Sequence, residues 1–104
     1  MIVKFTNNAK LKLTEILNYC LQEFGRNVTD RFAEIIKEDL LLLAANPCMG
    51  RKEDLFYQSR YIIRSFPEGH YRIVYCINDD QDAIVILTFF DCRQDPFSLE
   101  AEIE

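Results

Sequence analysis

Tyr71-Arg72-Ile73-Val74-Tyr75-Cys76-Ile77, then Asn78-Asp79-Asp80-Gln81-Asp82, then Ala83-Ile84-Val85-Ile86-Leu87-Thr88-Phe89-Phe90, is the stretch whose reading decides the fold. Its first part is rich in β-branched and aromatic residues, which suit a pleated, half-buried surface. The polar residues that follow bond readily to their own backbone, so they read as a turn. The last part is almost wholly apolar, as expected of a central strand covered on both faces.

Upstream, Tyr61 to Phe66 reads as another strand, closed by a turn at Pro67-Glu68-Gly69-His70. Before that the period changes to that of helices. Leu13, Ile16, Leu17, Cys20, Leu21 and Phe24 form one apolar stripe. Thr6, Asn7 and Asn8 offer N-cap oxygens, and Gly25 is a natural stop because it tolerates positive φ. A second helix carries Val28, Phe32, Ile35, Ile36, Leu40 and Leu43, with Asn27 or Thr29 as its cap. Its end, Leu40 to Ala45, is apolar all round and is expected to be deeply covered. Pro47 closes it by disfavouring α geometry at Asn46. Two helices with so short a joint pack antiparallel. With a first strand at Ile2, Val3 and Phe5, the order is β-α-α-β-β-β. The expectation is one α+β domain over residues 1–104, a helical hairpin on an antiparallel sheet, with residues 97–104 an acidic tail.

A chain of 104 residues, 49% hydrophobic, is long enough for one core. No run approaches the roughly 18–20 uncharged apolar residues of a membrane span. The N-terminus turns polar too soon for a signal peptide, so a cytoplasmic protein without membrane partners is expected. Cys20, Cys48, Cys76 and Cys92 form no CxxC pair and His70 is the only histidine, so neither metal nor cofactor is expected. Without an export signal the thiols are expected to be free. The net charge is −5, unevenly spread. Residues 1–58 balance; residues 59–78 carry Arg60, Arg64 and Arg72 against Glu68; residues 79–104 carry Arg93 against eight acids. A domain that grips nucleic acid by its backbone usually shows a strong positive surplus. Here only a local arginine cluster is available.

If the 78–82 loop sets Ile77 opposite Ala83, one sheet face carries Tyr71, Ile73, Tyr75, Ile77, Ala83, Val85, Leu87 and Phe89. The other carries Arg72, Val74, Cys76, Ile84, Ile86, Thr88 and Phe90. The bulkier first set suits the side under the helices. A one-residue slip would swap these sides. The second face would then expose Val74, Ile84, Ile86 and Phe90 together, a patch that a soluble monomer seldom leaves bare. Either a partner chain or the C-terminal tail is expected to cover it.

Several strings resemble the RelE/ParE toxin family. Asn46-Pro47-Cys48-Met49-Gly50-Arg51 is similar to the P-x-x-G-R motif that follows its helical hairpin. Ser59-Arg60-Tyr61 follows, and His70-Tyr71-Arg72-Ile73-Val74-Tyr75 resembles the Y-R-I/L-x-Y strand. Cys92-Arg93-Gln94-Asp95-Pro96, after an apolar strand, leans towards the ParE-like branch. The resemblance implies the toxin of a bacterial type II toxin–antitoxin (plasmid stabilisation) module, inhibiting growth until a cognate antitoxin neutralises it. ParE-like members act on DNA gyrase; RelE-like members cleave mRNA on the ribosome.

On the nuclease branch, Arg72 and Arg93 match the family's basic positions and Arg60 stands near a third. The next basic position holds Ile62, and no Tyr or His follows Tyr75 to act as the C-terminal proton donor. That favours a gyrase-binding toxin over an mRNA endonuclease, with an inactive antitoxin-binding module as a further alternative. Candidate antitoxin or target contacts are Arg51, Arg60, Arg64, Arg72, Val74, Ile84, Ile86, Phe90 and Arg93. Plainer roles stand beside these: Arg72 paired with Asp91, Arg51 capping helix carbonyls, Arg93 paired with Asp91 or Asp95. Arginine's planar fork suits carboxylates as well as phosphates, so an acidic antitoxin segment could occupy the same face. The expected mode is a disordered tail that folds on binding, wraps the helices and adds a strand to the sheet edge.

Overall fold

The computed structural model describes residues 1–53 and 61–93. Its elements are β1 (Ile2–Phe5), α1 (Asn7–Ala45), β2 (Arg51–Lys52), β3 (Ile63–Glu68), β4 (Tyr71–Asn78) and β5 (Ala83–Asp91). Short 3-10 turns at Pro47–Met49 and Asp79–Gln81 lead into β2 and β5. The strands form one sheet in the order β1-β5-β4-β3-β2. The expected α+β architecture is present, with β2 as an additional strand.

Thr6 caps α1 by accepting the Ala9 N–H at 3.1 Å. The span is broken at Gly25, whose φ of 83° and ψ of 178° are not helical. Unbroken, 39 residues of helix would reach about 58 Å, well beyond the longest dimension of 40 Å. The chain therefore doubles back, and Leu13 and Ile16 of one limb share a core with Ile36, Leu40 and Leu43 of the other. The hairpin expected at Gly25 is thus the observed one. Thr29 does not cap the second limb as an acceptor; its hydroxyl donates to the Gly25 carbonyl at 2.8 Å. Nothing lies within 4 Å of where a Cβ at Gly25 would stand, so only backbone strain opposes a side chain there. Gly25→Ala is expected to lose about 1–3 kcal/mol, read as a lower urea midpoint with unchanged slope.

The end of α1 is less covered than its sequence implies. Leu40, Leu43 and Ala44 turn to the core, whereas Leu41 is 61% and Leu42 45% exposed. One helix side meets the sheet, and an all-round apolar sequence cannot bury its other side there.

The sheet is mixed rather than wholly antiparallel. β2 to β5 zigzag antiparallel, but β1 lies parallel to β5, with Ile2 opposite Ala83 and Phe5 opposite Ile86. A strand reached only through a long helical crossover is free of the hairpin constraint and can pair parallel.

The β4–β5 register overturns the expected division of faces. Asn78 stays in the ladder opposite Ala83, because its side chain accepts the Gln81 N–H at 3.3 Å and Asp82 takes a left-handed conformation to complete the turn. Ile77 therefore faces Ile84, one residue later than expected. Ile84 and Ile86 consequently point to the helices, and Val85 and Leu87 take the outer face. A bulge then adds one residue, since Tyr75 pairs with Ile86 but Val74 with Thr88. The Leu87 carbonyl there accepts from Thr6 Oγ1 at 3.1 Å and from Asn8 Nδ2 at 3.5 Å, so the helix start pins the bulge. Beyond it the expected sides return: Phe89 faces the helices and Phe90 the outer cluster of Ile63, Val74 and Cys76.

That outer cluster is not a bare patch. Val74, Ile84 and Ile86 are fully buried and Phe90 is 5% exposed, all within this chain. The four therefore form no exposed patch, and Ile84 and Ile86 lie on the helix side instead. The tail over residues 97–104 lies outside the described residues.

Candidate functional site

The segment after α1 is built around one phenol. Tyr75 is fully buried, donates its hydroxyl to the Pro47 carbonyl at 2.6 Å and accepts the Gly50 N–H at 2.9 Å. Burial pushes its ionisation above the usual phenol value. Gly50 is small by necessity: a Cβ there would stand 2.5 Å from the Tyr75 hydroxyl and 2.9 Å from the Ser65 carbonyl. Arg64 completes the knot by donating to the Gly50 carbonyl at 2.8 Å and the Cys48 carbonyl at 3.3 Å. The P-x-x-G-R string and the final tyrosine of the Y-R-I-V-Y string are thus two halves of one hydrogen-bonded joint. It is Arg64, not Arg51, that serves the carbonyls after the helix.

On the outer face a single carboxylate gathers the basic groups. Glu53 Oε1 accepts from the Ser65 hydroxyl and lies 3.1 Å from Arg51 Nε and 3.8 Å from Arg72 Nε. Arg72 Nε also donates to Ser65 Oγ at 2.7 Å. Its acidic partner is therefore Glu53 rather than Asp91. The Arg72 and Glu53 side chains are only 18% and 15% exposed, so this network is largely shielded from water.

Arg93 stands elsewhere. Asp91 is opposite Tyr71 in the ladder, on the helix side of the sheet, whereas Arg72 is opposite Phe90 on the outer side. Asp91 accepts from Arg93 Nε at 2.9 Å and Nη2 at 2.7 Å, a bidentate clamp. The Arg93 hydrogen bond lowers the Asp91 pKa to about 2, and Asp91 in turn raises that of the guanidinium. Because the folded carboxyl is depressed, this contact contributes fully above the ordinary carboxylate range and is lost as pH falls towards 2. The Arg93–Asp91 pair rims a cleft of about 320 Å³ with Tyr19 and Tyr71 on its walls and Ile16 and Phe89 among its lining.

The candidate arginines are therefore split. Arg51 and Arg72 share Glu53 outside, Arg64 is spent on the joint, Arg93 lies on the helix side, and Arg60 lies outside the described residues. Sequence reasoning missed Glu53 and the buried role of Tyr75; the glycine of P-x-x-G was the one signal of the joint. Among the described residues, no three His, Cys, Asp or Glu side chains stand where they could hold a metal ion, and the four cysteines are free thiols. None of the described helices is long and apolar enough to cross a membrane.

Apolar surface remains open on the other layer. Leu11, Leu21, Phe24 and Val28 are exposed on α1, as are Leu41 and Leu42. A second, apolar groove of about 310 Å³ runs beside the sheet edge between Val3 and Phe5 of β1 and Leu13, Ile36 and Leu40 of α1.

A helical hairpin on a β1-β5-β4-β3-β2 sheet, with a phenol-centred joint after the second limb, is an α+β architecture consistent with the RelE/ParE fold. Over residues 3–96 the chain matches the family described as ParE toxin of type II toxin–antitoxin system, parDE, and it belongs to that family. No curated protein matches the chain. Its class is thus that of the toxin partner in a toxin–antitoxin pair.

Proposed function

We propose that this chain inhibits bacterial growth from the cytoplasm by binding DNA gyrase, and that a cognate antitoxin encoded beside it neutralises it. The observation that carries the reading is the separation of Arg72 from Arg93 by the sheet itself. Cleaving RNA needs charge-stabilising and proton-transferring groups converging on one phosphate. Here one arginine is paired with Ser65 and Glu53 and the other is clamped by Asp91. That arrangement supports a binding toxin over an mRNA endonuclease.

Expression without antitoxin is expected to stop growth with accumulation of DNA breaks. Codon-positioned cuts in translated mRNA would refute the gyrase reading, and normal growth at confirmed expression would refute a toxic role altogether.

The open apolar side of α1 and the place of β1 at the edge of the sheet among the described residues support an antitoxin segment that wraps the helices and extends the sheet. Phe24 and Leu41 are both about 60% exposed, so Phe24→Asp with Leu41→Asp is expected to leave the fold intact. Each buried anchor is worth about 2 kcal/mol at an interface, so antitoxin affinity measured by calorimetry should fall by roughly 700-fold, with a loss under about 30-fold counting against the wrapped mode.

A further inference from the structure

Three neighbouring strands bring one polar side chain each to the same place on the outer face. Arg51 of β2 stands opposite Ser65 of β3, whose partner on β4 is Val74, two residues from Arg72. Arg72 Nε donates to Ser65 Oγ at 2.7 Å, which leaves the single hydroxyl hydrogen of Ser65 for another acceptor. Glu53 Oε1 takes that hydrogen and also accepts from Arg51 Nε at 3.1 Å, with Arg72 Nε 3.8 Å away. Two guanidiniums and a hydroxyl gathered on one oxygen are the kind of donor set that holds an oxyanion. The set is built into the sheet, since Ser65 is 1% exposed and Arg72 is largely shielded. The carboxylate is no loose surface group either: the Glu53 N–H donates to the Ile63 carbonyl at 2.9 Å, which anchors it beside these donors.

We propose that Arg51, Ser65 and Arg72 form an oxyanion cradle, and that Glu53 fills it as an internal counter-ion and so keeps phosphate off the outer face of the sheet. With Glu53 in place, two cations and one anion leave a single positive charge there. Without it, Arg72 loses its counter-ion and the Ser65 hydroxyl its acceptor, in a place where water screens charge poorly. An incoming phosphate has to displace a carboxylate tethered at the site, whose effective concentration is on the order of millimolar or above. Glu53 is thereby a specificity-determining residue, which leaves this face to protein partners. The inference deepens the binding reading, on which its purpose rests, by naming what bars phosphate; its test involves no gyrase, so each can fail alone.

Glu53→Ala vacates the cradle without touching its donors. Its thermal midpoint is expected to rise by about 4–8 °C, beyond any rise shared with the parent, once inorganic phosphate reaches roughly five times its dissociation constant. Sodium chloride at matched ionic strength should give no such rise. The absence of a phosphate-specific rise overturns the proposal. In Glu53→Gln the amide still fills the place and accepts from Ser65, so its gain should be much smaller; an equal gain in both variants reduces Glu53 to a mere charge and overturns the cradle. In the parent, the Arg51 and Arg72 Nε–H resonances should stay in place as phosphate is added, and a saturable shift there overturns the exclusion. A short single-stranded RNA separates the two sources of phosphate. Affinity for Glu53→Ala at least about tenfold above the parent's supports exclusion of a polymer backbone, and phosphate rescue without it supports exclusion of the free ion.

Discussion

Alanine at position 50 is expected to destabilise the protein by about 3–5 kcal/mol, a large part of the roughly 5–15 kcal/mol that holds a domain of this size together. The backbone is not the reason. Gly50 has φ −70° and ψ 147°, open to any residue. The reason is space: the added methyl meets the Tyr75 ring carbon at 2.7 Å, its hydroxyl at 2.5 Å and the Ser65 carbonyl at 2.9 Å. Neither a ring fixed by two hydrogen bonds nor a strand backbone can step aside cheaply. Overpacking costs about 1–3 kcal/mol, and displacing the phenol adds the cost of buried polar groups left unmade. Urea unfolding followed by circular dichroism measures it; a loss under about 1 kcal/mol would mean that the joint yields.

Tyr75→Phe approaches the same joint from the other side and is expected to lose about 2–4 kcal/mol. The ring, and with it the packing, is kept. What disappears is the oxygen that takes the Gly50 N–H and the hydrogen given to the Pro47 carbonyl. Two backbone groups in a shielded place are left without partners, each costing about 1–3 kcal/mol. Since both substitutions break one contact set, the double variant should fall short of the sum of the singles by 1 kcal/mol or more, on the order expected for directly touching groups. Additive losses would show that Gly50 and Tyr75 act independently. The larger, toxin-level consequence is that either variant should lose activity through abundance rather than through target contact.

Much of this architecture was legible in the residues. The change from helical to alternating period located α1 and the sheet, and Gly25 announced the reversal, because these signals are local and strong. What was not legible depended on parity. One turn that retains Asn78 in the ladder and one extra residue at Leu87 shifted Ile84 and Ile86 from one side to the other and then restored Phe89 and Phe90. No local pattern in an all-apolar strand carries that information; the Thr6 and Asn8 side chains that pin the bulge are some eighty residues away. The site fared likewise. Its arginines were visible, but their partition depended on where acids came to rest. Glu53 claimed Arg51 and Arg72 through tertiary placement, whereas Arg93 found Asp91 two residues away, as short spacing allowed.

The parallel pairing of β1 with β5 bears on how the protein is made. Among the described strands β1 waits for β5: Ile2 meets Ala83, and the Met1 amine lies 3.1 Å from the Ala44 carbonyl. A product that stops short of Ala83 has a helical hairpin without β5, the strand it packs on most closely. Its apolar faces stay open, and contacts this distant in sequence form slowly and late. The sheet is therefore a checkpoint of sorts, closed only once the residues of β5 have been made.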